Sequence, residues 1–430
     1  MKITVVGMGK IGLPLAVQFA EHGHQVFGAD VVARTVDTIN AGHEPFPGEA
    51  HLAEKLAAVV ASGALVATLD TTAAVRESQA VVVVVPLFVD EHGIPDFGWM
   101  DAATASIGAG LQPGTLVSYE TTLPIGTTRD RFLPALAQAS GLAPTDFHLV
   151  FSPERVLTGR IFSDLRTYPK LVGGVDEEST QAGIRFYESV LDFDERPDLP
   201  RPNGVWNLGS SEASEMAKLA ETTYRDVNIG LANQFARYAD SRHIDVFAVI
   251  DACNSQFYSH IHQPGIAVGG HCIPIYPQMY LWNDPDATIV RAARAANRGM
   301  PAYAVDLLKE HHGDLAGQRV AVLGAAYRGG VKETAFSGVF DVVAELTKAG
   351  AIPVVNDPLY TADELEKLGL ADYEFGQQVD AVIVQANHAE YSKVRAENVP
   401  GARTVIDGRD VTSPELRAEI PTYVLGAASV

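Results

Sequence analysis

Val5–Ala16 reads VVGMGKIGLPLA, and this stretch decides the architecture. It sets Gly7, Gly9 and Gly12 in G-x-G-x-x-G spacing between a β-branched run, KITVV, and a helical pattern. A strand that turns on glycine into a helix opens a dinucleotide-binding βαβ unit. The first glycine allows the tight turn, the second lets a pyrophosphate approach the backbone, and the third lets helix and strand pack closely. The first N–H groups of the helix supply the positive potential that an anion needs. Lys10 and Ile11 complete the loop. Asp30 ends the next β-branched run, QVFGAD, 18 residues after Gly12. An acid there accepts hydrogen bonds from ribose hydroxyls and repels a 2'-phosphate, which favours NAD over NADP. Arg34 follows nearby and is counted with the cofactor loop.

Outward from this loop, the first ~150 residues alternate short apolar runs with helical patterns. KITVVG, QVFGAD, AVVVVVP, TLVSYE and FHLVFS read as strands, and GLPLAVQFAEHG and MDAATASIGAGL as helices. Such alternation implies a parallel, doubly wound sheet. The tract DERPDLPRPNG (Asp194–Gly204) is rich in proline and charge and reads as a link or rim between domains. After it, Ser210 or Ser211 opens a helix of roughly 30 residues, with Met216, Leu219, Ala220, Tyr224, Val227, Leu231 and Phe235 at helical spacing. The strand–helix alternation restarts at QRVAVLGAAYRGG, AIPVVNDP, AVIVQANH and RTVIDGRD. The expected fold is therefore α/β: two Rossmann-like doubly wound α/β domains joined by a long central helix and a helical middle domain. The expected boundaries are 1–205, 206–300 and 301–430.

Composition narrows the function. The chain has 430 residues, 47% hydrophobic and 20% charged, with a formal net charge of -21. That length calls for more than one core. A surface this acidic repels nucleic acid and anionic membranes, so neither is an expected partner. An anionic ligand must then be held by local cations or helix N-termini against the global field. Two cysteines, Cys253 and Cys272, make no disulfide framework, and no Cys/His cluster has metal-ligand spacing. The start MKITVVGMGK reads as a strand entering a glycine loop rather than a signal peptide, and AVVVVVPLFV is too short to span a bilayer. A reducing cytoplasm fits.

Four further segments carry a resemblance: GMGKIGLPLAVQFAEHGH at Gly7–His24, SPERVLTG at Ser152–Gly159, EMAKLAETTYRDVNIGLANQ at Glu215–Gln234 and GIAVGGHCIPIYP at Gly265–Pro277. Together, and in this order, they resemble the UDP-glucose/GDP-mannose dehydrogenase family over nearly the whole chain. GGHCIPI looks most like the branch acting on UDP-N-acetylhexosamines. The resemblance implies NAD-dependent, four-electron oxidation of the C6 hydroxyl of a nucleotide-linked sugar through a cysteine adduct. The implied substrate is UDP-N-acetylmannosamine or UDP-N-acetylglucosamine, with UDP-glucose as the alternative. It also implies a homodimer through the long helix.

Residue by residue, the resemblance implies Cys272 as nucleophile, because a thiolate adds well to an aldehyde. Lys218 is implied as oxyanion and proton partner, Glu154 as general base or water holder, Thr122 as a water-positioning hydroxyl that also meets the cofactor, and Asn228 and Thr222 as polar contacts. Pro86 joins the cofactor set. Glu154, Arg155, Lys218, Asn228, Gly269, Gly270, Tyr327 and Arg328 form the implied substrate set, the two glycines by letting backbone approach the sugar. Several positions depart from the family pattern. The usual asparagine four residues after the lysine is Thr222 here. The usual aspartate four residues after the cysteine is Tyr276, whose phenol, with an ordinary pKa of about 10, is no carboxylate base. Val85-Pro86-Leu87-Phe88 lacks the usual threonine, and Ala335 in KETAFSG replaces an arginine that Arg328 or Lys332 would have to replace in function. Outside these roles, Cys253 reads as core, His271 as a loop hydrogen-bonder, and Asp407 and Arg409 as an internal ion pair. Two other classes stay open: a non-catalytic sensor of NAD and nucleotide sugar, and a β-hydroxyacid dehydrogenase, which needs neither Cys272 nor a second nucleotide domain.

Overall fold

The structure is a computed structural model and describes residues 1–90 and 92–427. It divides into two compact units, Met1–Ala220 and Glu221–Val430.

Among the described residues, the first unit holds an eight-stranded sheet and a small hairpin. Its strands are β1 (Lys2–Val6), β2 (Gln25–Ala29), β3 (Leu65–Thr68), β4 (Ala80–Val83), the hairpin β5 (Phe88–Val89) and β6 (Pro95–Asp96), β7 (Leu116–Tyr119), β8 (His148–Phe151), β9 (Lys170–Gly174) and β10 (Val205–Asn207). The order is β10-β9-β8-β7-β4-β1-β2-β3. From β3 to β8 the neighbours run parallel; β9 turns antiparallel to β8, and β10 follows it in parallel. Strand β4 is buried at every position, which is why its sequence is an unbroken valine run and not an alternation. The helices are α1 (Gly12–Glu21), α2 (Ala33–Asn40), α3 (Leu52–Ala61), α4 (Thr71–Arg76), α5 (Gly98–Gly110), α6 (Leu133–Ser140), α7 (Ile161–Thr167), α8 (Glu177–Val190) and α9 (Ser211–Asp240), with a π-helical turn at Thr128–Phe132. Helix α9 contains the boundary between the units.

One expectation needs correction. The Asp194–Gly204 tract does not link domains; it folds within the first unit. Arg166 pairs with Asp194, Asn203 Nδ2 donates to the Asp194 carbonyl at 2.8 Å and to that of Arg166 at 3.0 Å, and the tract delivers β10 to β9. Its prolines and charges mark a rim held by these bonds.

The second unit continues with α10 (Val246–Asn254), α11 (Tyr276–Asn283), α12 (Thr288–Arg298) and α13 (Met300–His312), the helical middle part. It then forms β11 (Arg319–Leu323), α14 (Gly338–Lys348), β12 (Ile352–Asn356), α15 (Ala362–Lys367), β13 (Ala381–Val384), β14 (Val405–Asp407), α16 (Pro414–Glu419) and β15 (Thr422–Val424). These five strands are all parallel in the order β12-β11-β13-β14-β15, a shorter version of the same winding. Each unit has its own core: Val5, Leu15, Phe19, Val82 and Phe186 in the first, and Val305, Leu308, Val322, Val342 and Ile383 in the second. Each such side chain contributes roughly 1.5–3 kcal/mol by leaving water. Among the described residues no helix is long and apolar enough to cross a membrane, and no group of three or more His, Cys, Asp and Glu side chains is placed to hold a metal ion.

Candidate functional site

In the first unit the site begins at the carboxyl ends of the parallel strands, where open α/β sheets bind ligands. Gly7 has φ +94°, and its N–H donates to Ala29 O at 2.8 Å. A Cβ on Gly12 would lie 1.9 Å from the Gly7 carbonyl oxygen, so the third glycine is required by packing. A Cβ on Gly9 would meet nothing within 4 Å; that side of the loop is open for a ligand. Helix α1 has Ile11 as its N-cap and no side-chain cap; the Leu13 N–H turns back to Gly9 O at 3.1 Å and Pro14 has no N–H, so the Gly12 N–H at the helix start is the one left toward an anion. Asp30 Oδ2 accepts the Met8 N–H at 2.8 Å and Oδ1 that of Val32 at 2.9 Å. Its half-buried carboxylate is thus fixed at the loop with lone pairs remaining. Lys10 and Arg34 are exposed and Ile11 half-buried beside it. Val31, 90% exposed, follows Asp30 and offers an apolar surface that the sequence reading passed over. Pro86 is exposed on the segment whose Val84 carbonyl closes on Gly7. An adenine dinucleotide fits these residues: a bare helix start, a glycine that leaves room, and an acid for the ribose. A cleft of about 670 Å³ near Asn40, His43, Glu44 and Ala57 contains none of them.

Thr122 is buried on the loop after β7, and its neighbour Thr121 donates to Val85 O at 2.7 Å. Glu215 of α9 holds the far end of that loop, accepting the N–H groups of Gly126 (2.6 Å) and Thr128 (2.9 Å) and the Thr128 hydroxyl (2.7 Å). Burial pushes this carboxyl up to about 7 against those hydrogen bonds. One turn along the same helix, Lys218 Nζ donates to the Glu154 main-chain oxygen at 2.5 Å. The sequence reading missed Glu215; its position three residues before Lys218 was the available signal.

Glu154 follows β8. Its Oε1 accepts the Arg155 N–H at 2.7 Å, and Lys170 Nζ approaches its Oε2 at 3.5 Å. Burial alone would raise this carboxyl, but Lys170, a hydrogen bond from Glu120, the Arg155 N–H and Lys218 together hold it below the ordinary carboxylate range. It is therefore ionised at neutral pH, as a base or a water-holder must be. The Arg155 guanidinium is half-buried and donates to Pro169 O at 3.2 Å.

In the second unit, Cys272 carries an exposed thiol. Its carbonyl accepts the N–H groups of Ile275 (3.2 Å) and Tyr276 (2.9 Å), which starts α11. Gly269 and Gly270 have a reason internal to the fold. A Cβ on Gly269 would fall 2.6 Å from the Cβ of Tyr327 and 2.8 Å from Phe336 O, and one on Gly270 (φ +90°) 3.2 Å from the Tyr327 ring. The Gly270 N–H donates to Ala335 O at 2.8 Å. The cysteine loop is thus pressed onto the first loop of the second sheet. Arg328 is exposed and its Nε donates to the Tyr327 hydroxyl at 3.0 Å. His271 Nε2 lies 3.3 Å from Glu333, in line with a loop hydrogen-bonder.

Four expectations change. Asn228 uses its amide on the chain, donating to His260 O (2.7 Å) and the Tyr224 hydroxyl (3.1 Å) and accepting the His262 N–H (2.9 Å). It pins the segment that leads to the cysteine loop. Thr222 is buried one turn after Lys218. Lys332 does not stand in for the missing arginine at Ala335, because its ammonium is bonded to both Glu364 oxygens at 2.6 and 2.7 Å. Asp407 pairs with Arg417, and Arg409 instead donates to Gln385 O (2.7 Å) and Ala267 O (3.1 Å), tying the cysteine loop to the sheet. Cys253 is only half-buried.

The comparisons agree with this geometry. Residues 1–191 match the NAD binding domain of the UDP-glucose/GDP-mannose dehydrogenase family, 212–299 its central domain and 321–414 its UDP binding domain. The chain belongs to this family. It is an NAD-dependent nucleotide-sugar dehydrogenase, an oxidoreductase. A UDP-N-acetyl-D-mannosamine dehydrogenase of Pyrococcus horikoshii is 33% identical over 96% of both chains. The solved structure of a UDP-D-ManNAc dehydrogenase from that organism superposes with a TM-score of 0.88 at 30% identity, covering 100% of each chain. A UDP-glucose dehydrogenase from Pyrobaculum islandicum superposes with a TM-score of 0.86 at 26% identity, covering 99% of this chain and 98% of its own.

Proposed function

We propose that this dehydrogenase oxidises the C6 hydroxymethyl group of a UDP-N-acetylhexosamine, UDP-N-acetylmannosamine or UDP-N-acetylglucosamine, to the carboxylic acid through Cys272. NAD supplies the hydride acceptor, so that the alcohol, one water and two NAD give the acid, two NADH and two protons. The observation that carries this reading is an exposed thiol on a loop clamped against Tyr327 of the domain that matches UDP binding. A nucleophile fixed relative to the nucleotide is what covalent capture of an aldehyde requires.

In this reading the Cys272 thiolate adds to the C6 aldehyde left by the first hydride transfer, giving a thiohemiacetal. Loss of the second hydride leaves a thioester. Lys218 stabilises the developing oxyanion, and Glu154, ionised, takes a proton from the water that hydrolyses the thioester. Thr122 orients that water, and Thr222 adds a hydroxyl donor beside Lys218. Gly269, Gly270, Tyr327, Arg328 and Arg155 contact the substrate, and Asn228 acts by fixing the loop. The acetamido sugar is favoured by GGHCIPI and by the relative that is 33% identical. The same reading includes a homodimer through α9, whose Tyr224, Leu231, Phe235 and Tyr238 form an exposed apolar stripe at helical spacing, and a cytoplasmic setting.

A second reading, a two-electron enzyme that stops at the aldehyde, is favoured by Tyr276 where a carboxylate would assist hydrolysis. NADH yield across a panel of UDP- and GDP-sugars separates the two. Two NADH per UDP-N-acetylhexosamine, with only the first turnover step surviving in Cys272→Ala, is expected. One NADH per sugar with free aldehyde overturns the four-electron reading.

A further inference from the structure

Glu154 does not stand alone at the end of the first sheet. Because β9 runs antiparallel to β8, its first residue, Lys170, arrives at the same edge as the last residues of β7 and β8. Lys170 is 5% exposed and Glu120, the residue after β7, is 0% exposed. Lys170 Nζ donates to Glu120 Oε2 at 2.7 Å and reaches Glu154 Oε2 at 3.5 Å. The Tyr187 hydroxyl of α8 donates to Glu120 Oε1 at 2.6 Å and lies 2.7 Å from Ser118 Oγ. The Glu154 N–H donates to Glu120 O at 3.2 Å. Both carboxylates thus share one ammonium, inside a closed hydrogen-bond set.

We propose that Lys170, held in place by Glu120, is the positioning residue for the Glu154 carboxylate and sets the pH range over which the enzyme turns over. The proposal rests on the reading of Glu154 as the base. Packing alone is a weak reason for this triad, because a buried ion pair adds little stability over apolar side chains of the same volume. Its chemical value is different. A cation 3.5 Å from one carboxylate oxygen favours the ionised form and fixes that oxygen's direction. The other groups facing Glu154 do less or the opposite. The Lys218 ammonium is engaged with the Glu154 carbonyl, Arg155 offers its N–H, and Asp164 lines the same small cleft as a further negative charge. Glu120 favours ionisation of Glu154 through its hydrogen bond, while Glu154 in turn raises Glu120 as a like charge. Burial pushes Glu120 itself up to about 7, with Lys170 opposing and Glu154 adding to the rise. Of the two carboxyls, Glu120 is therefore the one that takes up a proton first, leaving Glu154 as the base.

The test is the pH profile of kcat, read by NADH formation at saturating substrates. Lys170→Met removes the cation, so the acid limb should move up by about one pH unit or more, and Lys170→Arg should return most of it. Glu120→Gln keeps hydrogen bonds to Lys170 and Tyr187 and removes no charge on the acid limb, where Glu120 is already protonated, so its limb should stay close to that of the parent enzyme. The double variant K170M/E120Q removes both members of the buried Lys170–Glu120 pair, so it is the variant to read if the single lysine variant fails to fold, and its limb should move up. Lower kcat with an unmoved limb in the lysine variants would make Lys170 a structural residue and overturn the proposal. Glu154→Gln separates this from the reading beneath it. If the acid limb survives in that variant, Glu154 is not the titrating base; if it vanishes there while Lys170→Met leaves it unmoved, only the present proposal fails.

Discussion

The two nucleotide-type loops of this chain are built on one hydrogen-bond plan and finished differently. In the first, the Gly7 N–H donates to Ala29 O at 2.8 Å, and the Met8 N–H to Asp30 Oδ2 at 2.8 Å. In the second, the Gly324 N–H donates to Asn356 O at 2.8 Å, and the Ala325 N–H to Asp357 Oδ2 at 2.8 Å. There the likeness stops. Asp30 is half-buried and its other oxygen meets one local N–H. Asp357 is buried; it also accepts from Ala326 and Leu359, and His388 Nε2 lies 3.2 Å away. Burial would raise its carboxyl, but the His388 hydrogen bond and the N–H groups hold it below the ordinary range. Ala326 stands where the first loop has the open Gly9. The acid of the domain that matches NAD binding is left partly bare, whereas its counterpart in the second unit is sealed by an imidazole. In the proposed reading Asp30 takes the ribose, and the second loop keeps the turn without such a reader.

The comparison breaks most visibly at the acids. Asp357→Ala should destabilise the second unit by about 3–5 kcal/mol, since it strands buried donors and an imidazole. Asp30→Ala should cost far less stability and instead weaken NAD binding about 10- to 100-fold. Thermal unfolding and NAD titration of the two variants check this, and equal losses of stability would erase the distinction. The glycines sharpen it at smaller scale. Gly12→Ala should destabilise by about 3 kcal/mol, because its Cβ meets the Gly7 carbonyl at 1.9 Å. Gly9→Ala should leave stability within about 1 kcal/mol and weaken NAD roughly tenfold, the 1.4 kcal/mol equivalent of an intruding methyl. Calorimetry with and without NAD separates the two. Smallest is Lys332→Ala on the rim of the second loop. Its exposed pair with Glu364 is worth less than about 1 kcal/mol, so stability and NADH production should hardly change; a large loss of substrate affinity would return Lys332 to the diphosphate.

What the sequence disclosed follows from range. Gly7, Gly9, Gly12 and Asp30 sit within one βαβ unit, so spacing alone foretold that they meet at one loop. The 30-residue α9 was legible because its apolar residues keep helical period over many turns. Lys170 and Glu120 were not legible as a pair, nor Glu215 as the anchor of the loop after β7. A reversed strand brings the first two together and a distant helix supplies the third, and neither periodicity nor spacing encodes either. Asp407 and Arg409 misled for the opposite reason. Two residues apart, they look paired, yet the carbonyls that hold Arg409 belong to Gln385 and Ala267, and Arg417 takes the acid. Asn228 looked like a substrate contact because an amide on a functional helix invites that reading; its partners at His260 and His262 lie beyond any local pattern.

The reversed strand β9 also bears on how the chain is made. Translation delivers Glu120 fifty residues before Lys170. Strands β1 to β4, the half of the sheet that ends at β3, hold no such buried ion pair among the described residues, and their apolar runs can collapse as soon as they leave the ribosome. The β7 end cannot close in the same way, because a carboxylate without its counter-ion stays solvated. Docking of that edge waits for the ammonium to emerge. Vectorial synthesis thus leaves the base-bearing edge of the sheet for last, after the cofactor loop already has its scaffold.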